Sequence, residues 1–438
     1  MSSSGSGLRF AIAPALIAGL TAALVTLPAS SAHAAAEVYR VPADRVFDVV
    51  GRGFGHGHGL SQYGAKSRGA AGQPLSAIIA AYYPGTALKR VVDAPVHVIL
   101  TNSGVEGLPA SSAYRYQADY SRTGAANAGV KIVPQAGLKW RRLGARDWAT
   151  LPVSVGGHRV MVWGAKPVSA THVRIHAKTA LGWSPSGPAD MGGFAFTRGA
   201  GPTRMHYLDG TEVDYLGRIE VWRTGATRVA RVNVVSMEAY LRGVVPREMP
   251  ASWPARALQA QAVAARSYSA WDRDHPKTWY HTCDSTYCQV YRGLRTKSAR
   301  GAVTAADPRS DAAIAATARL VVMHAGRPAF TQFSASNGGW KSAGGTAYLA
   351  AGRDAYDAFP SWRDTLSARA LERAYPSLGA LDRIVILSRE GGGATWGGRV
   401  VRARLEGHRS NGATRTVTVS GDALRRLGGF KSSLFTFS

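Results

Sequence analysis

Between Pro95 and Arg223 apolar and polar positions alternate in short runs. Val96–Thr101, Val130–Val133, Val153–Val155, His158–Trp163 and His172–His176 are separated by Gly, Pro, Asn and Ser. A period of two predicts half-buried strands. Arg218–Arg223 and Arg228–Val235 continue the pattern. The period then changes. Over Arg256–Asp272, Gln261, Ala265 and Tyr268 share one face, with Leu258 and Ala262 beside it, and Pro254 suits the first turn of a helix. Ala257, Ala260, Ala262, Ala264 and Ala265 give that helix little bulk, which predicts close packing against a sheet. Further helices are predicted after Leu60–Ala65 and over Leu75–Tyr83, Ala299–Ala305, Leu366–Tyr375 and Gly421–Leu427. Thr331–Gly339 reads as a strand entering a polar glycine turn, and strands close the chain at Ile384–Leu387, Val400–Leu405 and Thr416–Val419. The predicted class is α+β.

Residues 1–34 change the picture from fold to address. Arg9 precedes the apolar run Phe10–Leu27, and Ser30–Ala34 supplies small residues, with cleavage expected after Ala34. A membrane anchor is the other reading, opposed by Pro14 and Pro28 and by the scarcity of large apolar residues. No later stretch is apolar enough to span a bilayer, so a secreted, soluble, cell-wall-associated protein is expected. The chain has 438 residues, enough for two or more domains, and a formal net charge of +26. Such a charge draws a protein to a polyanion. With export expected, nucleic acid drops out as a partner, and an anionic cell-wall polymer is the natural one.

Candidate chemistry sits in three places. Gly51–Gly59 has glycine at every second position, fits no phosphate-binding pattern, and if extended puts Arg52, Phe54, His56 and His58 on one face. His56 and His58 could hold a metal, though substrate hydrogen bonding or packing explains an H-x-H as well. Cys283 and Cys288 read as a disulfide in an exported protein. With His281 they also fit three zinc ligands, a reading left open here. Glu248 is the acid in an expected tight turn ahead of the alanine-rich helix, followed by Met249.

At this point the residues resemble a family. EAYLRGVVPREMP (238–250) and ALQAQAVAARSY (257–268) resemble the core of the SpoIID/LytB family of peptidoglycan-active proteins. Cys288–Gly293 resembles its next motif, Ser334–Gly339 its serine-glycine-glycine turn, and GRGFGHGHGLSQYGA (51–65) its glycine-histidine signature. Here that signature precedes the core, as in actinobacterial-type members, and GDALRRLGGFKSSLF near the C-terminus resembles the segment that usually leads into it. A circular permutation follows from this order, with Ser438 expected close to Val49–Arg52. Asn337 stands where the family often has Ser.

The resemblance implies an α+β, SpoIID-like catalytic core with a β-rich lobe and a permuted N-terminal glycine-histidine segment. The expected units are a signal peptide (1–34), the glycine-histidine segment with its helix (35–94), the β-rich lobe (95–205) and the core (206–438). It implies a lytic transglycosylase cutting between N-acetylmuramic acid and N-acetylglucosamine, with Glu248 as the catalytic acid and base. Burial against Val244, Val245, Met249 and Trp253 would raise its pKa, and Arg247 and Arg266 would oppose that. Glu238 is read as a structural partner and Asp284 as a weaker candidate for a second carboxylate. Expected substrate contacts are His56, His58, Ser61, Gln62, Arg266, Tyr268, Gln289, Tyr291 and Ser336, while Gln261 ties the helix to the sheet. No cofactor or metal is expected. The partners are peptidoglycan glycan strands, anionic wall polymers and, in an alternative reading, a cell-wall amidase that the chain enhances without catalysis.

Overall fold

The computed structural model describes residues 37–100, 117–119 and 130–438, except 170, 208, 225, 227, 278 and 392–395. The expected signal peptide lies outside the described residues.

Two large sheets and seven helices are seen among the described residues. The first sheet runs, in spatial order, Gly182–Asp190, Val173–Thr179, Val162–Pro167, Val130–Ile132, Thr203–His206, Glu212–Tyr215, Arg295–Lys297, Val303–Ala305. The second runs Thr282–Cys283, Val96–Ile99, Arg228–Val235, Arg218–Arg223, Gly193–Thr197, Lys139–Arg142, Ala149–Thr150, with Gln117–Asp119 also on Arg228–Val235. All these pairings are antiparallel except that of Thr282–Cys283 with Val96–Ile99. The alternation is visible in the product: in Val173–Thr179 every second side chain is buried. Trp163 is fully buried, whereas Trp148 and Trp183 sit under Arg141 and Lys166 as cation–π partners at 4.5 and 4.0 Å.

The helices are α1 (Gln62–Ala70), α2 (Leu75–Tyr82), α3 (Met237–Glu248), α4 (Ala255–Asp274), α5 (Pro308–Ala316), α6 (Ala368–Ala374) and α7 (Gly421–Gly428). Helix α4 is the spine. Its small residues are almost all buried, and its polar ones anchor neighbouring segments. Ser267 Oγ accepts the Val322 amide at 2.8 Å, Ser269 Oγ accepts Gln289 Nε2 at 2.9 Å, and Thr331 Oγ1 donates to the Ala264 carbonyl at 2.7 Å. The helix expected at Ala299–Ala305 is instead a turn and a short strand. Asp307 and Pro308 supply the N-cap and first-turn proline that place α5 there instead. Likewise Trp362–Ser367 is a strand, and the helix expected from Leu366 starts at Ala368.

A second, smaller core unites the two ends of the chain. Glu37–Arg40 pairs with Ala380–Arg389, which continues through Val400–His408 to Thr414–Ser420. Val46–Gly51 lies between Trp362–Ser367 and the C-terminal strand Phe435–Phe437, and the Ser438 amide donates to Asp48 at 3.0 Å. The side chains of Phe47, Trp362, Leu405, Phe430 and Phe435 meet in this core. The residues before Gly51 are therefore two strands of the C-terminal module.

The glycine-histidine segment is not the extended ribbon its alternation suggests. Gly53, Gly55, Gly57 and Gly59 all have positive φ (73, 100, 79 and 62°), so the backbone turns at every second residue. At Gly57 an added Cβ would lie 2.4 Å from Arg399 Nη2, and that guanidinium is itself buried. Gly57→Ala is expected to cost on the order of 2–3 kcal/mol, from the left-handed backbone and the clash together. Chemical denaturation of the variant would check this; an unchanged midpoint contradicts it.

Candidate active site

Glu248 is the last residue of α3, not a turn residue. The helix starts where Ser236 Oγ accepts the Ala239 amide, and it carries Pro246 in its last turn. Proline has no amide to donate, which weakens that turn, and Met249 leaves in extended conformation with its side chain in the core. The Glu248 carboxyl is left half-buried at the helix end. Its Oε1 accepts the Val290 amide at 2.6 Å, and Gln62 hydrogen-bonds the same carboxyl. Burial pushes its pKa up to about 7, against the lowering effect of those two hydrogen bonds. A carboxylate at a helix C-terminus also faces the negative end of the dipole. Arg266, expected to oppose this, is spent elsewhere.

Gln62 opens α1 and also donates to Gln261 Oε1 on α4 at 3.3 Å. The glycine-histidine segment thus reaches Glu248 through one side chain. Gln261 ties α4 to α1, not to the sheet. Val290, which holds the carboxyl, lies two residues beyond a disulfide joining Cys283 and Cys288. His281 accepts the His97 amide through Nδ1 and stacks on His97 at 4.5 Å. With both sulfurs bonded to each other, neither is free to be a thiolate ligand, and the zinc reading falls. Closing so short a loop is worth about 2 kcal/mol. Reductant is therefore expected to lower the thermal midpoint measured by calorimetry, and a midpoint indifferent to reductant contradicts this.

Most of the expected substrate contacts are instead structural. Arg266 is fully buried, holds Glu238 through Nε and Nη2 at 2.9 and 2.7 Å, and donates from Nη1 to the Leu320 carbonyl at 3.2 Å. Tyr291 is buried and its hydroxyl donates to Asn233 Oδ1 at 2.6 Å; its ring fills the space over Gly243. Gln289 is buried against α4 through Ser269 and the Ala265 carbonyl. Ser61 caps α1, accepting the Gly64 amide at 3.0 Å and donating to Asp357 at 2.9 Å. Ser336 is fully buried and donates to the same Asp357 carboxylate. These five side chains spend polar groups on internal partners, although Gln289 Oε1 has none in the structure. Tyr268 is half-buried against Phe330 and Phe333 at 4.9 and 6.5 Å. His56 and His58 stack on each other at 4.8 Å, and the His58 ring reaches the Ser342 carbonyl at 3.3 Å. Desolvation, and the nearby Arg399, lower the pKa of both imidazoles. Among the described residues no cluster of three or more His, Cys, Asp or Glu side chains is arranged to hold a metal.

Three residues that the sequence did not single out join the parts. Asp357 accepts Ser61, Ser336 and the Asn337 amide (2.7 Å). Asp354, buried, accepts the Tyr82 hydroxyl and Asn337 Nδ2, each at 2.9 Å. Buried Arg399 donates to the carbonyls of Gly55 and Asn337 at 3.0 and 3.3 Å. The available signal was the pair of aspartates spaced by three, soon after the Asn337-Gly338-Gly339 turn.

Glu238 and Asp284 do not supply a second reacting carboxylate: the first is saturated by Arg266 and the second is buried. The site presents one half-buried carboxyl near neutrality, which can both donate and accept a proton.

The family model of SpoIID, described as a stage II sporulation protein, matches residues 225–324. The chain is 36% identical over 138 residues to the amidase enhancer of Bacillus subtilis, covering 30% of this chain and 17% of that protein. It is also 36% identical over 83 residues to an uncharacterized protein of Brachyspira hyodysenteriae, covering 18% of this chain and 22% of that one. Residues 225–324 are thus similar to the SpoIID family. It spans about a fifth of the length of these relatives. The SpoIID match contains α3, α4, Glu248 and the disulfide loop. The glycine-histidine segment, Asp354, Asp357 and Arg399 lie outside it. Among the described residues no helix is long and apolar enough to cross a membrane.

Proposed function

We propose that this chain is a secreted lytic transglycosylase acting on peptidoglycan glycan strands, with Glu248 as its single acid and base. The observation that carries the reading is the half-buried Glu248 carboxyl with a pKa raised to about 7. Protonated, it would give its proton to the leaving glycosidic oxygen as the bond to the anomeric carbon breaks. The resulting carboxylate would take the proton of the same sugar's 6-hydroxyl as that oxygen closes on the anomeric carbon. The product is a 1,6-anhydro end, and no water is consumed. One carboxyl suffices for this, whereas hydrolysis usually needs a second at defined separation. The net charge of +26 fits an anionic wall polymer as the surface the protein meets. The order of motifs, with the C-terminal strand paired to Val49–Gly51, fits a circularly permuted catalytic core.

A second reading, a wall-binding enhancer of a separate amidase, is favoured by the similarity to the amidase enhancer. Incubating purified glycan with the protein alone, and with an N-acetylmuramoyl-L-alanine amidase added, separates them. Anhydro ends are expected from the protein alone. Acceleration of the amidase with no anhydro ends from the protein alone supports the enhancer instead.

A further inference from the structure

A row of aromatic rings includes sequence neighbours of Glu248 and Gln62 and is not used by the chemistry above. Trp253 lies five residues after Glu248, and Tyr63 follows Gln62, which touches it. Their ring centroids are 5.0 Å apart; Tyr63 to Phe359 is 4.9 Å, and Phe359 to Phe54 is 6.1 Å. The four rings come from three distant chain segments, and the row ends on Phe54, which is 47% exposed. Two lysines stand over it: Lys66 Nζ is 5.1 Å from the Trp253 ring and 5.8 Å from Tyr63, and Lys431 Nζ is 5.5 Å from Phe359. Among the described residues no carboxylate lies within ion-pair distance of either ammonium.

Packing alone accounts for the inner rings, because Trp253 leans on the larger core and Phe359 on the smaller one. It does not account for the outer end. A row that ends on an exposed phenylalanine, with Lys66 over its inner rings and Lys431 over Phe359, is an amphipathic strip. Sugar rings match it: their C–H faces stack on aromatic rings, and the carboxylates of an acidic polysaccharide meet the ammonium groups.

We infer that Trp253, Tyr63, Phe359 and Phe54, with Lys66 and Lys431, form a track that holds a carboxylate-bearing glycan strand several sugars beyond the bond at Glu248. This rests on the reading of a glycan substrate. The track would set a preference for long strands over short ones.

The test is binding, in a full-length Glu248→Gln background so that no cleavage intervenes. The probes are soluble uncrosslinked glycan strands and a short tetrasaccharide of the same polymer, at low ionic strength. Phe54→Ala and the double variant Lys66→Ala/Lys431→Ala are each expected to weaken long-strand binding about tenfold, near 1.4 kcal/mol, and to leave tetrasaccharide binding unchanged. Lys297→Glu, an exposed charge change on a distant strand, controls for net charge. Long-strand affinity within twofold of the parent in both variants overturns the track while leaving the proposed function standing. Equal weakening by Lys297→Glu also overturns it, since the effect is then bulk charge. A parent that binds neither probe overturns both readings.

Discussion

Asp357→Ala is expected to cost about 3–5 kcal/mol, since several hydrogen bonds to one carboxylate are lost, each worth roughly 1.5–3 kcal/mol. Asp357 accepts the hydroxyls of Ser61 and Ser336 and the amides of Asn337 and Gly338. Ser61 caps the helix that begins with Gln62, and Ser336 pairs its backbone with Phe54. Removing the carboxylate leaves buried donors without acceptors on both sides of the seam between the glycine-histidine segment and the 333–339 turn. Asp357→Asn keeps one acceptor oxygen, so its loss should be smaller. Urea unfolding would measure both. Early proteolytic cleavage near Gly51–Gly59 in Asp357→Ala would show that the seam opens first. Wild-type stability in Asp357→Ala would contradict this account of the seam.

Glu248→Gln is expected to change how stability depends on pH. In the unfolded chain the carboxyl titrates near 4.5, and in the fold burial raises it to about 7. Between those values the folded protein keeps a proton that the unfolded chain has released. Stability from this group is therefore full below pH 4.5 and falls as pH rises, reaching its lowest level above about 7. The fall is on the order of 3 kcal/mol. Glutamine resembles the protonated acid and can still accept the Val290 amide. The variant should match the wild type at low pH and exceed it above pH 7. Denaturant unfolding at several pH values checks this, and parallel curves for the two proteins would contradict it. For the same reason cleavage by the wild type should decline above about pH 7, where the acid has lost its proton.

Elements with a clear period were legible from sequence. The alanine-rich helix, the strand Arg228–Val235 and the short helix at Gly421 stand where their patterns put them. The closeness of Ser438 to Asp48 was legible from the order of motifs, and so was the approach of the glycine-histidine segment to Glu248. The individual roles were harder. Arg266, Gln289, Tyr291 and Ser336 are polar residues inside motifs, and a motif does not say whether a side chain faces a substrate or a neighbour. Each found an internal partner that only the fold brings near, such as Glu238 for Arg266, 28 positions away. Asp357 and Arg399 were silent for the same reason, since Arg399 meets Gly55 across 344 positions. The glycine alternation was misread because a period of two is shared by a strand and by a chain that turns at every second residue; only φ separates them.

The most direct test of the central claim is a digest of one peptidoglycan preparation by wild type and Glu248→Gln, with 1,6-anhydro ends counted by mass spectrometry. The account predicts anhydro ends from the wild type and a loss of about 10²–10⁴-fold in the variant, the range for one general acid–base group. Equal yields from both proteins, or reducing ends in place of anhydro ends, would contradict it.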